Sequence, residues 1–324
     1  MTMSTFYKIL LASAAAFLTL ACAEERDESS ESIQERILQA FIETNYPDAE
    51  RSPSGLYIID SIPGTGRTLT EESYALVDYT ITYLDGSYQS YTSDSIARQL
   101  GEYAASGYYQ PRIVDVSESN TGVKEILTGM KKGGMIKAVI PATLLNAESD
   151  NEIVHSDGAS RIYEFHLREV IDDAYTYQIE QLEAFSAEHY NLDSTEYGFY
   201  FNKTRYALDS IASGDDANVR YIGKYLDGTV FDTNIEDTAK KYDIYSSANE
   251  YEALSFEFQE TEENTLENNS FVQGFSKALW RMGYGDRAIT FFYSSLGYGD
   301  SGSGDIPGFV PLFFELWIEE KETE

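Results

Sequence analysis

The run Val219-Arg220-Tyr221-Ile222-Gly223-Lys224-Tyr225-Leu226-Asp227-Gly228-Thr229-Val230-Phe231-Asp232 reads as a β-hairpin. β-Branched and aromatic residues fill both arms, and Asp227-Gly228 is a hairpin dipeptide, since glycine takes the positive φ that a tight turn needs. The same pattern stands earlier in the chain. Val77-Asp78-Tyr79-Thr80-Ile81 matches Val219 to Gly223, and Leu84-Asp85-Gly86 matches Leu226-Asp227-Gly228, at an offset of 142 residues.

The match continues outward on both sides. Leu38-Gln39-Ala40-Phe41 with Tyr46 pairs with Leu182-Glu183-Ala184-Phe185 with Tyr190, and Gly55-Leu56-Tyr57 pairs with Gly198-Phe199-Tyr200. Gly122 and Gly133 pair with Gly274 and Gly285, where an insertion in the second copy has raised the offset to 152. Such a period is far beyond the roughly 20–50 residues of a solenoid unit, so the repeat is two whole domains. The length of 324 residues also suits two domains.

Each copy opens on a helical pattern. Ile33, Ile37, Phe41 and Ile42 recur at helical spacing in the first, and Ile179, Leu182 and Phe185 in the second. Pro47 and Asn191-Leu192-Asp193 stop these helices. In the first copy strands are predicted over Leu56–Asp60, Tyr74–Tyr83, Met135–Ile140 and Ile162–Val170. In the second they are predicted over Arg287–Phe292 and Leu312–Ile318. Short amphipathic helices fit Gly122–Met130 and Gly274–Met282. Strands dominate around one short helix, so each copy is predicted to be α+β.

Composition narrows the function classes. Apolar residues make up 42%, enough for ordinary cores, and the formal net charge is −32. That charge repels nucleic acid and anionic membrane surfaces, and otherwise serves solubility. One cysteine permits no internal disulfide. His155, His166 and His189 share no metal-ligand spacing, so neither a metal nor a cofactor is expected. His166 alternates with Phe165 and Leu167 and is placed on the outer face of a strand.

At the amino terminus Lys8 precedes the apolar run Ile9–Ala21, which has the layout of a secretory signal and is too short to span a bilayer. The end of that run, Leu18-Thr19-Leu20-Ala21-Cys22, resembles a bacterial lipobox, which implies lipidation of Cys22 and attachment to a membrane. The acidic, serine-rich tract that follows reads as a solvated tether. Ala23, rather than aspartate, follows the cysteine; by resemblance to Gram-negative lipoproteins this implies the outer membrane, facing the periplasm. The acidic tract also resembles a surface-export signal of some Bacteroidetes lipoproteins, which leaves the face open. The expected organisation is signal peptide 1–21, tether 22–32, first domain 33–173 and second domain 174–324.

Two later motifs join the opening run: Phe271-Val272-Gln273-Gly274-Phe275 and Leu296-Gly297-Tyr298-Gly299. Together their spacing resembles the FKBP family of peptidyl-prolyl cis-trans isomerases, over most of residues 197–320. The resemblance implies a twisted antiparallel sheet wrapped around a short helix in each copy, and rotation about X-Pro bonds in proline-containing polypeptide clients. It implies catalytic roles for Tyr221, Phe231, Asp232 and Tyr298, with Asp232 orienting Tyr221 and Tyr298 binding the substrate carbonyl. Phe256, Val272, Phe275, Ile306 and Phe314 are implied as substrate-binding, with Phe275 as the floor, Phe256 and Phe314 as walls, and the Val272 N–H as a donor. Phe275 replaces the usual tryptophan, the loop from Tyr298 to Ile306 is short, and an acidic insertion occupies Gln259–Ser270. The implied role is that of an isomerase assisting exported proteins to fold, against the alternative of a non-catalytic FKBP-like binding or scaffold lipoprotein.

The first copy keeps Tyr79 and the glycines, but Gln89-Ser90 stand where Phe231-Asp232 stand, and Val123 stands for Phe275. It is therefore expected to keep the fold with a degenerate pocket. Its aromatic run Tyr103–Tyr109 is either a contact surface or part of the core.

Overall fold

The computed structural model describes residues 29–145, 158–207 and 209–321. The predicted signal peptide, Cys22 and most of the tether lie outside them, as do His155 and most of the polar stretch that follows Pro141.

Two antiparallel six-stranded sheets are built in the same way. The first contains β1 (Tyr57–Ile62), β2 (Tyr74–Tyr83), β3 (Tyr88–Tyr91), β4 (Arg112–Asp115), β5 (Met135–Ile140) and β6 (Arg161–Ile171). Its order is β1-β5-β6-β2-β3, with β4 also on β2. The second contains β7 (Phe199–Arg205), β8 (Asp216–Lys224), β9 (Val230–Thr233), β10 (Leu254–Glu257), β11 (Arg287–Phe292) and β12 (Leu312–Ile318). Its order is β7-β11-β12-β8-β10, with β9 also on β8. Strand for strand the pairings of the two sheets coincide. β2, β5, β11 and β12 span the predicted residues.

Each sheet is covered on both faces. In the first domain α1 (Ser30–Asn45) lies on one face and α3 (Thr121–Leu127) on the other; α2 (Asp94–Leu100) follows β3. In the second domain α4 (Ala174–His189) and α7 (Gln273–Trp280) take the equivalent places. α5 (Glu236–Lys241) follows β9, and α6 (Glu262–Asn268) precedes α7. The inner helices pack closely because a glycine faces the sheet. A Cβ on Gly122 would stand 2.3 Å from Ile140, and one on Gly274 would stand 2.4 Å from the Phe292 ring.

Some sequence expectations shift. α1 starts at Ser30, inside the predicted tether, because the Ser29 side chain accepts the Ser32 N–H as an N-cap. Its buried residues are Leu38 and Ile42, which pack on Tyr57, Val139 and Ile162, while Ile33 and Ile37 are 38% and 47% exposed. Only the C-terminal half of this helix reaches the sheet, so the predicted stripe is half solvated. In α4, Leu182 is buried as expected, but Gln178 is buried too, its Oε1 accepting the Ser294 N–H at 2.8 Å. The acidic insertion holds α6. Glu262 bonds Lys277 at 2.5 Å and Arg281 at 2.6 Å, and Glu196 bonds the same two cations, so the inserted acids neutralise basic residues of the inner helix region.

Candidate active site

Strand alternation places Tyr221 and Gly223 on the core side of β8, and Tyr225, just past its end, is buried in the same core. β9 runs beside them with Gly223 opposite Asp232. In this register the Tyr221 hydroxyl donates to Asp232 Oδ2 at 2.5 Å, while Asp232 Oδ1 accepts the Thr233 N–H at 2.8 Å. The carboxylate is exposed and the phenol is half-buried. Burial, and next the negative charge of Asp232, push the Tyr221 hydroxyl far above its ordinary value of 10. It therefore stays protonated as a donor.

Three phenylalanines complete the walls. Phe314 of β12 is the hub, 5.7 Å from Phe231 and 5.1 Å from Phe275, both edge-on. Tyr221 meets Phe275 edge-on at 5.7 Å and Phe314 at 6.2 Å. Edge-to-face packing of this kind fixes ring orientation. The wall also needs a residue with no side chain. A Cβ on Gly223 would come within 2.6 Å of Phe231 and 3.0 Å of Phe314, so only glycine lets these rings meet over β8.

The two implied donors, Val272 and Tyr298, pack against the same core cluster. Val272 is the N-cap of α7, and its N–H bonds to no described residue. Tyr298 is half-buried and its hydroxyl likewise has no partner among the described residues. Burial, and then the charge of Asp232, raise its pKa, which keeps it a donor near that carboxylate. The loop carrying Tyr298 and Ile306 folds on itself. Gly302 N–H donates to the Tyr298 carbonyl at 3.0 Å, Ser303 and Ile306 exchange two backbone bonds, and Phe309 N–H reaches the Gly299 carbonyl at 2.9 Å.

Phe256 is 1% exposed on β10, opposite Ala217. It belongs to the same core cluster as Phe275 and Phe314, without a ring-to-ring contact to them among the described residues. Phe271 was missed: its ring lies 5.2 Å from Phe275 and extends the aromatic surface. Gly223 was missed also, although a glycine in a strand interior signals a close approach.

The first domain shows what happens without these parts. Tyr79 meets Ser90 at 3.1 Å, in the register where Tyr221 meets Asp232. Ile81, 0% exposed, stands opposite Ser90 as Gly223 stands opposite Asp232. Tyr163 stands opposite Ile81, as Phe314 stands opposite Gly223. Gln89 accepts from the buried Arg161, whose guanidinium lies 4.2 Å over Tyr83. The pocket positions are closed by packed side chains.

An aromatic cluster of this kind, flanked by protonated phenols, suits a ligand whose ring is apolar and whose flanking backbone is polar. Residues 209–319 match the family model of FKBP-type peptidyl-prolyl cis-trans isomerases, and the chain carries an FKBP-type domain. Two curated relatives are similar over part of their length. A short-type peptidyl-prolyl cis-trans isomerase of Methanocaldococcus jannaschii is 33% identical over 92 residues, 28% of this chain and 53% of the relative. FK506-binding protein 2 of Debaryomyces hansenii is 34% identical over 101 residues, 31% of this chain and 59% of the relative. The chain thus spans somewhat over half the length of the curated relatives it matches. Among solved structures, FkpA from Escherichia coli aligns with a TM-score of 0.33 at 20% identity, covering 53% of this chain and 74% of FkpA.

Proposed function

We propose that this protein is a peptidyl-prolyl cis-trans isomerase whose activity resides in the second domain. The observation that carries the reading is the box formed by Tyr221, Phe231, Phe275 and Phe314, with Asp232 bonded to the Tyr221 hydroxyl. Rotation about the X-Pro bond must break amide resonance, a barrier of about 18–20 kcal/mol. No covalent step is required, only tighter binding of the twisted amide than of the planar one. The twisted carbonyl carries less charge separation, so it loses less on entering an apolar box. The rings hold the pyrrolidine, while the Tyr298 hydroxyl and the Val272 N–H bond the flanking carbonyls.

The filled pocket of the first domain, with Ile81 and Tyr163 in place of Gly223 and Phe314, supports a single active site per chain. We further propose that Cys22 is lipidated and that the protein works on exported, proline-containing polypeptides at a bacterial outer membrane. The lipobox-like sequence supports that reading. A proline-limited refolding assay on the full chain tests the activity. A rate increase that falls with Phe231→Ala supports it, and no rate increase at all rejects it. Labelled palmitate incorporated by the wild type and not by Cys22→Ser tests the anchor.

A further inference from the structure

The first domain grips both walls of the second domain's pocket. Tyr108, in the loop before β4, packs its ring edge-on against Tyr225 at 4.8 Å. Tyr225 in turn lies 5.0 Å from Phe231, and Phe231 meets Phe314. A continuous line of rings therefore runs from the first domain into the aromatic box. The Arg112 guanidinium of β4 sits 4.6 Å over the Tyr108 ring, and Gln110 Nε2 donates to Asp227 Oδ2 at 3.1 Å, in the turn between β8 and β9. Tyr225 is 2% exposed and its hydroxyl has no hydrogen-bond partner among the described residues, so ring packing alone fixes it.

A second contact holds the other wall. Phe309 follows the loop that carries Tyr298 and Ile306, and its backbone takes a φ of 60°, which a bulky residue adopts only when its surroundings require it. That ring packs edge-on against Tyr74 of β2 at 5.7 Å and lies tilted against Tyr175 of α4 at 5.9 Å.

We propose that the first domain is an intramolecular brace, with Tyr108 and Tyr74 as positioning residues for the isomerase pocket. Neither touches the substrate. Tyr108 holds Phe231 through Tyr225, and Tyr74 holds the Tyr298–Ile306 loop through Phe309. This accounts for a domain that has kept its fold after its own pocket filled. It rests on the isomerase reading above. A pocket built from one strand pair and one loop loses rate when either wall can shift, because misplacement by about 1 Å can cost on the order of 100-fold.

The test uses the full chain with Tyr108→Ala, Tyr108→Phe and Gln110→Ala. Two quantities are read: kcat/KM on a proline peptide, and amide hydrogen exchange along β9, with exchange in β2 and β6 as the check that the first domain is folded. Tyr108→Ala is expected to lower kcat/KM roughly tenfold and to speed exchange at Phe231 to Thr233, with Tyr108→Phe restoring both. Gln110→Ala is expected to move both in the same direction by a smaller factor. A wild type without activity rejects the isomerase reading. An active wild type whose rate and β9 exchange are unchanged by Tyr108→Ala overturns the brace. Faster exchange in β9 without loss of rate also overturns the positioning role.

Discussion

Tyr221 and Asp232 are joined by a hydrogen bond of 2.5 Å between the faces of two paired strands, and the pair occurs in one domain of two. In the other, Tyr79 meets a serine at 3.1 Å. The difference is one of charge as well as length. Asp232 adds an exposed carboxylate that accepts from the Tyr221 hydroxyl and, after burial, helps hold its proton.

If the pair acts as a unit, its members are not additive. Asp232→Ala and Tyr221→Phe are each expected to lower kcat/KM about tenfold, or roughly 1.4 kcal/mol. The double variant is expected to lose little more than either single one, since each removes the same bond. Losses that multiply in a peptide isomerisation assay would show that the two residues act separately.

Gly223 separates shape from stability. An added methyl would press on Phe231 at 2.6 Å and Phe314 at 3.0 Å. Overpacking of this kind costs about 1–3 kcal/mol, and here the displaced rings are the pocket walls. Gly223→Ala is therefore expected to leave a folded protein by urea unfolding while removing most of the isomerase rate. Unchanged activity would mean that Phe231 and Phe314 do not need their observed contact.

Much of this was legible in the chain because duplication doubles each signal. The hairpin dipeptides, the paired glycines and the strand pattern marked out the two sheets, whereas Tyr221, Phe231, Phe275 and Phe314 were singled out only by the resemblance to the FKBP family. Other short elements were not legible: outside the two hairpins, the four-residue strands β4 and β10 offer too few alternations to be distinguished from loop. Ile33 and Ile37 have helical spacing whether or not a sheet lies beneath them. The role of Gly223 is visible only when β8 and β12 are paired, and that of Tyr108 only when the two domains are placed together.

Asp286 predicts the response to acid. It is 1% exposed, bonded to Lys203 at 2.6 Å, to the Ala207 N–H at 2.7 Å and to the Gly283 N–H at 2.8 Å. Burial alone would raise its pKa, but the bonds from Ala207, Lys203 and Gly283 outweigh it and hold the carboxyl below the usual 3.8. A depressed folded value contributes stability that is complete above the unfolded value and lost as pH falls through the folded one. Asp286→Ala is expected to cost about 3–5 kcal/mol at neutral pH, since it leaves Lys203 without its partner. Asp286→Asn should flatten the loss of stability below pH about 4. Urea unfolding from pH 7 to pH 3 checks both, and an acid slope identical to wild type would remove Asp286 from the account.

Tyr108 predicts the response to alkali and links it to the brace. Burial pushes its hydroxyl up to about 12; the Arg112 guanidinium opposes the shift, while Asp227 and Tyr177 add to it. Here the folded value lies above the unfolded value of 10, so the stabilisation is whole below pH 10. It is lost as pH rises toward 12, because the unfolded chain ionises first. The expected outcome is a stability that declines over that window. In Tyr108→Phe the decline should be shallower by about 1–2 kcal/mol, since a ring with no hydroxyl keeps its packing on Tyr225 without titrating. Urea unfolding at stepped pH measures the slope, and tyrosinate absorbance in the folded chain shows whether one tyrosine fewer ionises late. An alkaline slope unaffected by Tyr108→Phe would place this hydroxyl in solvent and loosen the contact that joins the two domains.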